Sequence, residues 1–149
     1  MSANLYGIVS LLPVQASTLT VINDPINMTA SGTIIFQAVV VSSPSVTCNT
    51  STGLITLGNA GVYSFGFSAS CGSVIGSYYM YLQLVNGSNI IARSNFINAI
   101  GGAVGGTSDL TLHYDGYCTA GFVVSCSFIT NAPVGFITVP LTATIIKIG

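Results

Sequence analysis

At 149 residues the chain is the size of one domain, long enough to bury ~68–70% of its unfolded surface without disulfide or metal staples. Only 3% of its residues are charged, against a usual ~25%, and half are hydrophobic, a balance that excludes disorder. A net charge of −1 with two basic side chains leaves no patch to neutralise phosphates, which argues against nucleic acid as a partner.

In chain order the candidate elements are all strands. Leu5–Leu11 comes first and is ended by Pro13. Its surroundings lack the positive n-region of a secretory signal, and Gly7 and Ser10 break the apolar run. Thr18–Ile22 runs into the turn "NDP". "TIIFQAVVVS" (33–42) reads as one strand, followed by a loop through Pro44 and Cys48. Leu54–Leu57 precedes the turn Gly58–Gly61, and 62–71 follows. "YYMYLQLV" (78–85) meets the hairpin signal Asn86–Gly87, and "NIIARSNFINAI" (89–100) returns from it. "GGAVGG" (101–106) is a loop. "SDLTLHYD" (108–115), "GFVVSCSFI" (121–129) and "ITVPLTATIIKI" (137–148) complete the set. Eight to ten short strands separated by Gly, Asn, Ser and Pro turns, with no internal repeat, predict one all-β domain over 1–149, an antiparallel sandwich or jelly roll.

The strand 62–71, "VYSFGFSASC", carries Tyr63, Phe65, Phe67, Ala69 and Cys71 on one side. Val62, Ser64, Gly66, Ser68 and Ser70 fall on the other, because strand side chains alternate with period two. The first face is a core face. The second is small and uncharged where a solvated strand usually carries Lys, Glu or Arg, so close-packed neighbouring chain is expected to cover it, from an overlying strand or another subunit. Residues 78–85 and 33–41 are apolar on both sides, whereas a sheet with one wet face reads hydrophobic-in and polar-out. Such a surface is a poor monomer, and self-association is expected. There is no charge from Pro25 to Ala92 or from Gly116 to Ile146. Even so, every apolar cluster is broken within a few residues, far short of the ~20 a spanning helix needs, so membrane insertion is not expected.

Little in the chain does chemistry. The four cysteines, Cys48, Cys71, Cys118 and Cys126, show no C-x-x-C spacing and have one histidine for company. Free, buried thiols are therefore expected rather than a zinc site. His113 and Asp115 share one face of a strand opposite Leu110, Leu112 and Tyr114. No G-x-S-x-G elbow accompanies them, and the couple reads as a surface or interface pair. With no Glu and three scattered Asp, paired-carboxylate hydrolysis is not expected. "GGAVGGTSD" lacks the Lys of a phosphate loop and leads into a strand. No enzymatic activity, cofactor or metal is expected. Sequons at Asn27, Asn49 and Asn86 would matter only in a secretory pathway.

The ordered pieces "TVINDPINM", "GLITLGNAGVYSFGFSAS", "YLQLVNGSNI" and the terminal "ATIIKIG" resemble the C-terminal head of collagen-like glycoproteins of bacterial spore surfaces. That head belongs to the complement-1q/tumour-necrosis-factor-like superfamily. The resemblance runs from about Leu5 to Ile148, and "INDPI" and the Gly-Val-Tyr that opens the central strand carry most of it. It implies a ten-strand jelly roll assembled as a homotrimer. No Gly-X-Y stalk precedes Leu5, and a stalkless head is expected to suit a viral capsid. The resulting expectation is a non-enzymatic homotrimer on the surface of a virion or spore, or otherwise extracellular, with itself and other shell or coat proteins as partners. Tyr78, Tyr79, Tyr81, Phe96 and Ile97 are the expected trimer-interface residues. The alternative is a receptor- or glycan-binding head using loops 43–52, 72–77 and 98–107.

Overall fold

The computed structural model describes residues 18–27, 31–36, 38–41, 43–71, 78–99, 108–131 and 138–149. The expected strand Leu5–Leu11, the loop 72–77 and the Gly-rich loop 101–106 lie outside the described residues. Within them are twelve strands and no helix: β1 (Thr18–Asn27), β2 (Gly32–Thr33), β3 (Ala38–Val41), β4 (Val46–Asn49), β5 (Leu54–Leu57), β6 (Gly61–Cys71), β7 (Tyr78–Asn86), β8 (Asn89–Arg93), β9 (Ile97–Ala99), β10 (Ser108–Cys118), β11 (Phe122–Thr130) and β12 (Thr138–Lys147). A five-stranded sheet runs β10-β6-β12-β1-β3. A seven-stranded sheet runs β4-β5-β11-β7-β8, with β2 added on β11 and β9 on β7. No helix among the described residues is long and apolar enough to cross a membrane.

The core lies between the sheets. Tyr63, Phe65, Phe67 and Ala69 of β6, Leu110 and Leu112 of β10 and Ile145 of β12 meet Ile55, Leu57, Met80, Leu82, Leu84 and Phe128 of the other layer. Each such large side chain contributes about 1.5–3 kcal/mol on full burial. Tyr63 is fully buried and still satisfied, because its hydroxyl donates to the Asn59 carbonyl at 2.7 Å.

Five expectations about the strands change. The segment 33–42 is not one strand. Thr33 pairs with Ser127 in one sheet while Ala38–Val41 pairs with β1 in the other, and Ile34 and Phe36 are buried at the crossing. Alternating β-formers suit either sheet, so nothing local marks where the chain changes layer. The segment 89–100 is likewise divided, into β8 and β9, by residues 94–96. The Ser/Thr-rich stretch after Pro44 contains β4, which pairs with β5 and buries Val46. Strand β1 also passes through the expected "NDP" turn to Asn27. Its register shifts between Asn23 and Ile26, where Pro25 has no N–H for the ladder. The hairpin lies one residue beyond the expected pair. Asn86 and Asn89 face each other and Gly87, at φ 58°, makes the turn with Ser88.

Candidate functional site

Two surface patches stand out, and neither is a cleft. The first is the outer face of the five-stranded sheet. Register aligns its side chains in rungs across three strands: Thr111, Ser68 and Thr142; His113, Gly66 and Thr144; Asp115, Ser64 and Ile146. The small side of β6 is therefore the middle row of this face. Ser68, Thr111 and Thr142 are exposed, as is Tyr117, 69% exposed beside Val62. No described strand covers the face. A shallow depression over Gly66 is lined by Ser68, Thr111, Thr142 and Thr144.

The ionic groups of this face sit in one line on β10. The Ser70 hydroxyl donates to Asp109 Oδ1 at 2.5 Å. His113 Nε2 lies 3.2 Å from Asp115 Oδ2, the one ion pair among the described residues, with both side chains more than half exposed. A hydrogen bond from Ser64 holds the Asp115 carboxyl below the usual range, and the His113 contact adds to it. The connectivity is Ser–Asp–His. A hydrolytic triad instead needs the serine hydroxyl on the histidine, with the carboxylate behind it. The trio thus holds an imidazole against a carboxylate on an open sheet face, a connectivity different from that of a hydrolytic triad.

The second patch is aromatic and lies on the outer side of the seven-stranded sheet. Tyr79 and Tyr81 project opposite the buried Met80 and Leu82 of β7. After Arg93 the strand is interrupted for three residues, with the Ser94 N–H still donating to the Leu82 carbonyl of β7 at 2.9 Å, and pairing resumes at Ile97 opposite Met80. That excursion sets Phe96 against Tyr81, with ring centroids 4.3 Å apart and 29° between planes. Tyr79 continues the stack at 6.2 Å, and Arg93 lies over the Tyr81 ring at 5.8 Å, within cation–π reach. Phe96 is 54% exposed.

Of the five residues expected at an interface, Tyr79, Tyr81 and Phe96 come together. Ile97 packs against the core instead. Tyr78 sits opposite Ala99 on β9, and its side chain lies outside the described set. Sequence reasoning did not anticipate Ser94, Asn95 and Arg93 as the parts that build the patch. The one local signal was "RSN", which interrupts the apolar alternation of 89–100. Cys118 and Cys126 are buried, free thiols, and burial pushes both up in pKa. Cys48 is half-buried and free, and is raised in the same way.

No family model matches the chain, and no curated protein matches it. Solved structures do. The globular domain of zebrafish complement 1qA covers 91% of this chain and 98% of its own length at TM-score 0.66 and 14% identity. The Eiger TNF of S. frugiperda covers 89% of this chain and 92% of its own at TM-score 0.66 and 8% identity. The PRD1 vertex protein covers 90% and 98% at TM-score 0.56 and 16% identity. The fold is the jelly roll of complement-1q and tumour-necrosis-factor heads. In this jelly roll the bare face belongs to the sheet that holds both the first and the last described strands. The aromatic patch lies on the other sheet, beside the β10 edge.

Proposed function

We propose that the protein is a non-enzymatic structural unit, a homotrimeric jelly roll on the outer layer of a virion. The observation that carries this reading is the outer face of the five-stranded sheet. Its β6 and β12 rows are small or apolar and uncharged, its ionic groups are confined to the β10 row, and no described strand covers it. A water-facing sheet of this size ordinarily carries Lys and Glu, and an interface core lacks them. Threefold closure needs two different patches on each copy, one to receive the other. The aromatic cluster of Tyr79, Tyr81 and Phe96 supplies the second, and it packs on the bare face of the next copy. The likeness to the PRD1 vertex protein supports a virion over a spore. The spore alternative rests on the sequence resemblance alone.

Sedimentation and native mass measurement test the assembly. The wild-type chain is expected to run as a trimer at micromolar concentration. Ser68→Arg on the bare face and Phe96→Ser on the aromatic patch are each expected to give folded monomers. A wild-type monomer with both patches bare would reject the reading. Mass spectrometry of purified particles tests the location.

A second reading, a glycan- or receptor-binding head, draws support from a depression in the expected loop region, lined by Val39, Ser43, Pro44, Thr47 and Cys48. Glycan-array binding that is lost when 43–52 is exchanged would favour it.

A further inference from the structure

We infer that assembly through the bare face is strengthened by mild acid, because His113 takes up a proton as the face is covered. The inference rests on the interface proposed above and concerns its regulation.

Of the chain's three acidic, two basic and one histidine side chains, Asp109, His113 and Asp115 stand on one side of β10. The facing rows of β6 and β12 bring no further charge: Val62, Ser64, Gly66, Ser68 and Ser70 on one, Thr142, Thr144 and Ile146 on the other. Tyr117 is the remaining titratable group on the described face. Lys147 pairs opposite Tyr63 at the end of the sheet, and Asp24 lies in the bulged part of β1, three strands from β10. The aromatic patch of the next copy brings one cation, Arg93 over Tyr81.

The charge count decides the direction. With His113 neutral, each contact encloses two carboxylates and one guanidinium, so burial leaves a negative charge without a partner. A protonated His113, already 3.2 Å from Asp115, makes two of each sign. Removing an unbalanced charge from water is costly, and a balanced, hydrogen-bonded set costs far less. The covered state therefore binds a proton that the free face releases. By linkage, association gains as pH falls through the range in which histidine charges, and loses that gain as pH rises. At still lower pH Asp115 takes up its own proton and the advantage fades. Closure about a threefold axis repeats the contact, so three sites add their effects.

The test is the assembly midpoint measured by sedimentation, or by dissociation in urea if the trimer is too tight to dilute apart. It is followed between about pH 7.5 and about pH 5.5, the span over which histidine changes charge. For the wild type the midpoint concentration is expected to fall by about tenfold or more, as uptake of one proton per copy requires. His113→Gln is expected to abolish that response. Asp115→Asn, which removes one carboxylate, is expected to assemble more tightly than wild type at the upper pH and to respond less to acid. Both positions are exposed on the free chain, and circular dichroism checks that each variant is folded. A wild-type trimer with a flat pH profile, or an acid response retained by His113→Gln, overturns this inference and leaves the assembly reading standing. A wild-type monomer at every pH overturns both.

Discussion

The side chain of Asn95 hydrogen-bonds the free edge of β10 as a neighbouring strand would. Its Oδ1 accepts from the Thr111 N–H at 2.8 Å, and its Nδ2 donates to the Asp109 carbonyl at 3.1 Å. One amide thus closes the first rung of an eleven-residue edge strand that has no other partner on that side among the described strands. Asn95 also adjoins Phe96, so the contact ties the aromatic patch to the strand that carries His113 and Asp115.

Unpaired strand edges recruit other strands, and proteins usually blunt them with Lys or Pro. This edge has neither. Asn95→Leu is expected to lower stability by about 1–2 kcal/mol through two lost hydrogen bonds. It is also expected to raise light scattering on standing at concentrations where wild type stays clear. Unchanged scattering and unchanged thermal midpoint would show that the amide does not guard the edge.

Ser94 holds the join between β8 and β9. It is 8% exposed. Its hydroxyl accepts from the Leu82 N–H at 2.8 Å and donates to the Asn95 carbonyl at 2.7 Å. Ser94→Ala leaves a buried N–H without its acceptor, and about 1–3 kcal/mol of stability should go with it. Denaturant unfolding measures the loss, and Ser94→Thr should recover part of it.

The low carboxyl pKa of Asp115 is attributed first to Ser64. Ser64→Ala is therefore expected to move its titration upward, followed by carbon NMR of the side-chain carboxyl. Because the folded value is depressed, the contribution of Asp115 to stability is present above the ordinary carboxylate value of about 3.9 and fades as pH falls through the folded value. The variant should narrow that acid-side window. An unmoved titration would assign the depression to His113 instead.

Gly53 turns the chain between β4 and β5 at φ 72°, and a Cβ there would fall against the Ile34 carbonyl. Gly53→Ala combines left-handed strain with a backbone clash, and a loss of about 1–3 kcal/mol is expected. Thermal unfolding checks it. A variant as stable as wild type would mean that Ile34 and the sheet crossing it anchors can shift at little cost.

The all-β class and the buried face of β6 were readable in the sequence, because alternation is a local property. Side-chain direction along a strand follows from backbone geometry alone, so Phe65 and Phe67 were bound to face one way and Ser64 and Ser68 the other. The partners were not readable. That Ser68 would lie between Thr111 and Thr142, that 33–42 would serve both sheets, and that Phe96 would stack on Tyr81 depend on pairing across dozens of residues. Such pairing is selected by how all the strands bury their apolar faces together. Alternation along β10 already puts Asp109, His113 and Asp115 on one side; tertiary structure alone could surround them with an uncharged face, since the rows of β6 and β12 are brought to β10 only when the sheet closes.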